Sequence, residues 1–173
     1  MILSPLLLAL SLSARADIAP PHPPYGKKRH KEAPACRPQV VPKEKKTKLT
    51  FPDGKTISLD IVDTPATRET GLMCVTRMPR TYGMMFVFPQ DMYLNFWMKN
   101  TLVPLDILWL SPDKKITVIH EKLHESTVDT PDEKVVTAGG KGQYVLELAS
   151  GEAARRKLKV GDELKFEATI PEK

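Results

Sequence analysis

The sequence predicts a mostly-β domain, a β-sandwich or partly open barrel with two short helices, lying behind a signal peptide and a basic arm. Three observations carry this. Apolar and β-branched residues recur in short alternating runs rather than at helical spacing. Clusters of Pro, Asp, Gly and Ser separate those runs. Helix-start chemistry occurs only twice, each time before a short segment. The 173 residues, 41% of them apolar, allow one core of ordinary size, and no internal repeat is present.

In chain order, residues 2–12 are apolar apart from Ser4, Pro5 and Ser11. A spanning helix needs about 20 apolar residues, so this run is too short. Ala14-Arg15-Ala16 follows, with small residues at the two positions a signal peptidase reads, and cleavage is expected after Ala16. No Lys or Arg precedes the apolar run, which keeps a mis-assigned start ahead of a cytosolic domain as the alternative. The expectation is an exported chain, periplasmic or extracellular.

The stretch from Asp17 to Lys48 holds seven of the 16 prolines and nine basic residues against three acidic ones. Such a composition buries too little apolar surface to offset its ordering entropy, so residues 17–47 read as a disordered, extended arm. The arm carries net +6, whereas residues 49–173, with 16 basic and 18 acidic residues, carry −2. A basic exported tail suits anionic lipid or acidic wall polymer as a contact, with a solvated spacer as the plainer alternative. Nucleic acid is not an expected partner, because neither stacking aromatics nor a recognised motif accompanies the charge.

The domain, residues 48–173, opens with a hairpin: residues 48–51, the turn Pro52-Asp53-Gly54-Lys55, then 56–62 with Ile57, Leu59 and Ile61 alternating. Thr64-Pro65 supplies an N-cap and a first-turn proline for a short helix ending at Gly71. Strands are expected at 84–88, 93–100, 105–110 and 116–120, the last two joined by Ser111-Pro112-Asp113-Lys114. Another is expected at 144–148. Ser150 then caps a short helix to about Leu158, and Val160-Gly161-Asp162 turns into a final strand over 163–170.

Cys36 lies in the arm and Cys74 in the domain. In an oxidising compartment they are candidates for a disulfide tying arm to body, or for separate thiols; sequence alone leaves both open. Ala33-Pro34-Ala35-Cys36 lies too far beyond the apolar run to be a lipidation site. Of the four histidines, His22 and His30 fall in the arm, and His120 and His124 follow a strand where helical ligand spacing does not apply. Neither a metal nor another cofactor is expected.

Several blocks resemble one known family. Gly71-Leu72-Met73, then Gly83-Met84-Met85-Phe86-Val87-Phe88, then Phe96-Trp97-Met98-Lys99-Asn100-Thr101 and Pro104-Leu105-Asp106-Ile107 look like hallmarks of the domain-of-unknown-function 192 family. Val145-Leu146-Glu147-Leu148, Gly151 and Gly161-Asp162 continue the likeness in order, over roughly residues 48–170. The resemblance implies a compact β-rich domain, often exported or membrane-tethered in bacteria, and no established activity. One departure stands out: Cys74-Val75 follows Gly-Leu-Met where the family has an aromatic and then Arg, and the nearest basic residues are Arg68 and Arg77.

Strand alternation puts Phe96, Met98 and Asn100 on one face and Asn95, Trp97, Lys99 and Thr101 on the other. The second face, an indole beside a cation and hydrogen-bonding groups, suits a polar ligand with a flat apolar side, such as a sugar or a peptidoglycan fragment. Together with Asp106, the residues Trp97, Lys99, Asn100 and Thr101 are therefore the expected ligand-binding set. The plainer alternative is that Trp97 packs, Lys99 pairs with Asp106, and Asn100 and Thr101 serve the next turn.

Asp106 and Glu147 each stand between apolar neighbours, so each is either paired or shifted upward in pKa. If the chain is an enzyme, they are its candidate acid/base pair, as in glycosidases. No nucleophile elbow, Ser/Cys-His pairing or metal-ligand spacing is present, so the reading leans away from catalysis. Six of the seven methionines, Met73, Met78, Met84, Met85, Met92 and Met98, cluster in sequence. Soft thioethers of that kind suit Cu(I), with core packing the preferred account. The leading expectation is a non-catalytic module that binds an envelope polymer or a small molecule.

Overall fold

The computed structural model describes residues 36–172. The expected signal peptide and residues 17–35 of the arm, with His22 and His30, lie outside the described residues. A hairpin starts the sheet: β1 (Lys46–Thr50) and β2 (Thr56–Val62) pair antiparallel, Leu49 opposite Ile57. Its turn closes as the residues dictate, with Gly54 at φ 76° and the Asp53 carboxylate accepting from the Lys55 amide.

Helix α1 (Pro65–Thr70) crosses over, so that β3 (Tyr82–Trp97) runs parallel to β2. Its N-terminus is the capping box that Thr64-Pro65 announces, completed by Thr67. β4 (Leu105–Leu110) and β5 (Ile116–Leu123) follow, then β6 (Thr137–Ala149), which inserts between β3 and β4, and a short α2 (Glu152–Arg155). The result is one six-stranded mixed sheet, ordered β1-β2-β3-β6-β4-β5. It is mostly β with two short helices, and the sheet stays open.

Both faces of the sheet are covered, because strand alternation sorts apolar residues to two cores. One contains Leu59, Met85, Leu108, Leu146 and Leu148, closed by Ala153, Leu158, Leu164 and Phe166. The other contains Met84, Phe86, Met98, Ile107, Trp109 and Val145, closed by Leu72 from the loop after α1.

Four local expectations are corrected. The two strands expected at 84–88 and 93–100 are one long strand, bent by a shift in register between Val87 and Met92. β6 begins seven residues before the run at 144–148, through a glycine-rich stretch of low strand propensity. The final strand over 163–170 does not form a ladder. Leu164 donates to the Lys114 carbonyl whereas Lys165 exchanges bonds with Thr50, so alternate residues serve different segments.

The fourth correction concerns the arm. Residues 36–47 belong to the packed body: Gln39 donates from Nε2 to the carbonyls of Thr67 (3.0 Å) and Gly71 (2.8 Å), closing the end of α1. Val41 packs on the second core. Cys36 and Cys74 are bonded, with Cα atoms 5.5 Å apart.

A cleft between the first helix and the third strand

The cleft is built by the loop that follows α1. Gly71, at φ 45°, ends the helix with the Phe86 ring against its Cα; a Cβ there would stand 3.0 Å from that ring. The chain then runs over the second core, and Cys74 donates its amide to the Asn100 carbonyl (2.8 Å). Asn100 sits at φ 51°, a conformation Asn tolerates better than most residues, in the turn that ends β3. Ser126 holds this turn, its amide bonding the Thr101 carbonyl and its hydroxyl the Met98 carbonyl.

Between loop and strand lies an inner cavity of about 30 Å³, lined among others by Leu72, Phe86, Lys99, Thr101 and Glu147. It adjoins an outer cleft of about 210 Å³ whose walls are Arg68, Glu69, Phe88, Asn95, Phe96 and Trp97. The inner cavity exceeds the roughly 10–15 Å³ of open space that one water needs. A single hydroxyl or water fits there, and a ring fits outside.

Glu147 forms the floor. It is 5% exposed, no hydrogen bond reaches its carboxyl among the described residues, and its Oε2 is wholly buried. Burial alone pushes its pKa up to about 8. At neutral pH it is therefore mostly a neutral acid, able to donate as well as accept. At the mouth, Arg68 stacks on the Phe88 ring and donates from Nη1 to the carbonyls of Val87 (3.0 Å) and Asp63. Desolvation lowers its pKa, with Asp63 opposing. Lys99 is ion-paired with Asp132.

The expected ligand set divides. Trp97, Lys99 and Thr101 line the cleft, and the Trp97 side chain is half-exposed rather than packed. Asn100 serves the turn, and among the described residues its Oδ1 is the other buried side-chain oxygen without a partner. Asp106 does not belong to the site. Its fully buried carboxylate accepts from the backbone amides of Lys122 (2.9 Å), Gly151 (3.0 Å) and Ala153 (2.8 Å). It thereby caps α2 in place of Ser150, and it makes no pair with Lys99.

The acid/base pair is also corrected. Asp106 is opposite Leu148 and Ile107 is opposite Glu147, so the two carboxyl groups project from opposite faces of the sheet. Met84 and Met85 likewise enter different cores, so these two thioethers do not meet. His120 faces the Gly139 carbonyl and the edge of Trp109, whereas His124 is exposed.

Sequence reasoning passed over Arg68, Phe88 and Phe96 as site residues. The available signal was the set of family-like blocks: Gly71-Leu72-Met73, Phe86, Phe96-Trp97, Lys99, Thr101 and Glu147 come from separate blocks and meet in one place.

The family model for DUF192, described as Uncharacterized ACR, matches residues 48–166. The chain belongs to this family. A crystal structure from Sinorhizobium meliloti 1021, described provisionally as that of a transcription regulator, is similar at 32% identity and TM-score 0.58, covering 70% of this chain and 92% of that one. A protein of unknown function from Novosphingobium aromaticivorans DSM 12444 is similar at 29% identity and TM-score 0.58, covering 76% and 94%. No curated protein matches. The blocks that meet in the cleft all lie within the residues matched to DUF192, as does Cys74, which carries the disulfide.

Proposed function

We propose that this DUF192 protein is an exported, non-catalytic binding module whose cleft takes a small molecule or the end of an envelope glycan. The observation that carries the reading is Glu147. A buried carboxyl with an unpartnered oxygen is costly, and such groups ordinarily find a hydrogen-bond partner. Its placement at the floor of a cleft walled by Phe96 and Trp97 supplies a reason: the carboxyl's other oxygen, likewise without a hydrogen bond among the described residues, is the one a ligand hydroxyl reaches. Aromatic walls with a few convergent polar groups are the usual make-up of small-ligand sites.

The separation of Asp106 from Glu147 removes the paired-carboxylate chemistry that favoured a hydrolase. A nucleic-acid role, raised by the description of the Sinorhizobium meliloti protein, draws little support from a packed body that is close to neutral, residues 36–173 holding 21 basic and 19 acidic residues for a net +2, since such binding rests on neutralising phosphates.

The test is a thermal-shift screen of envelope glycans, muropeptides and metals, with Trp97→Ala in parallel. A ligand at a hundredfold excess over its Kd stabilises the folded state by about 2.7 kcal/mol. Trp97→Ala is expected to abolish that shift while changing the stability of the free protein by no more than about 1 kcal/mol. A loss of several kcal/mol in the free variant, with ligand response unchanged, contradicts the reading.

A further inference from the structure

Resting on the cleft as a ligand site, we propose that its ligand is a small sugar acid, held with its carboxylate on Arg68 and its ring against Phe96 and Trp97, one hydroxyl reaching Glu147.

The charges of the cleft carry this choice. Its two cations are not equivalent. Lys99 is answered by Asp132. Arg68 has no carboxylate within ion-pair distance among the described residues, and its only hydrogen bonds there are two from Nη1 to carbonyl oxygens. Nε and Nη2 remain available to a carboxylate, which guanidinium donors bind well. The guanidinium is also partly stripped of water, lying on the Phe88 ring, and a desolvated cation gains more from an anion than a hydrated one does.

The other groups facing the cleft leave this preference standing. Glu69 touches both inner cavity and outer cleft but is exposed, so solvent screens its charge. Tyr82, the titratable neighbour of Glu147 on β3, directs its hydroxyl to Asp60 (3.0 Å). Glu147 holds its proton at neutral pH and so does not repel an anion. Size narrows the class further. Inner cavity and outer cleft together fall below the roughly 300 Å³ at which pockets for drug-sized ligands begin, so one ring is the scale.

The pH dependence has a definite sign. Above about pH 8 Glu147 ionises beside the ligand, and repulsion weakens the binding of an anion more than that of a neutral sugar.

The experiment is calorimetric titration of the full chain with matched pairs, glucuronate against glucose and N-acetylmuramate against N-acetylglucosamine, with inorganic phosphate as the bare oxyanion. The expected result is that at least one acid binds tenfold or more tightly than its neutral twin and than phosphate. Its affinity falls between pH 7 and pH 9, Glu147→Gln flattens that fall, and Arg68→Gln removes the preference for the acid. Neutral twins that bind as tightly as the acids overturn the proposal, as does phosphate binding as tightly, or no binding by either pair. The wild-type comparison decides this even where Arg68→Gln fails to fold. If neutral sugars bind and Trp97→Ala abolishes them, the ligand site stands and only the acid preference falls. If Trp97→Ala alters no titration, both fall.

Discussion

Asp106 and Glu147 look alike in sequence, each an acid set in an apolar run, yet the fold gives them opposite states. Asp106 gathers three backbone amides from residues 16, 45 and 47 positions away. That satisfaction is tertiary, which is why the sequence shows only that the acid is paired or shifted. Asp106→Asn replaces one acceptor oxygen with a donor facing a buried amide; we expect a loss of about 3 kcal/mol in urea unfolding, hydrogen bonds to charged groups contributing roughly 1.5–3 kcal/mol each. Glu147 gathers no partner. Its carboxyl is protonated in both states below pH 4.5, and above that the unfolded chain releases the proton while the folded one holds it up to about pH 8. Its contribution to stability therefore declines by about 1.4 kcal/mol per pH unit across that window and is level above it. Unfolding from pH 5 to pH 8 should show this decline in the wild type, and Glu147→Gln should lack it.

Elements whose residues announce themselves locally were legible. The first hairpin, α1, β4 and β5 follow from alternation, turn residues and capping chemistry. β6 was half hidden, because Gly139, Gly140 and Gly142 occupy the part that crosses β3. Those glycines answer to neighbours the sequence does not show. The indole of Trp109, which donates to the Leu94 carbonyl (3.2 Å), lies over Gly140, and a Cβ there would stand 2.8 Å from its ring. Gly140→Ala should cost about 1–3 kcal/mol, the usual price of overpacking, measured as a lower midpoint in chemical unfolding at unchanged slope. The pattern over the long β3 suggests two strands for a related reason: Pro89 and the register shift interrupt its alternation while the backbone continues.

At the scale of the molecule, fold class and family were legible because separate blocks all pointed the same way, and the cleft was legible only in part. Trp97, Lys99 and Thr101 are neighbours in sequence. Arg68 and Glu147 join them only through the β2–α1–β3 crossover and the insertion of β6. The Cys36–Cys74 bond completes the arrangement by holding the segment from residue 36 against the loop that roofs the cleft. Closing a loop of 38 residues restricts the unfolded chain, so the double variant Cys36→Ser, Cys74→Ser should be less stable by about 4 kcal/mol in urea unfolding. Ligand binding in this cleft requires Glu147 to be a protonated acid at its floor. The most direct measurement is a carboxyl-carbon NMR titration of Glu147, made without ligand and again with saturating glucuronate or N-acetylmuramate. The expected midpoint is near pH 8 in the free protein, moving higher when an anion is bound. A midpoint near 4.5 that no ligand moves would contradict it.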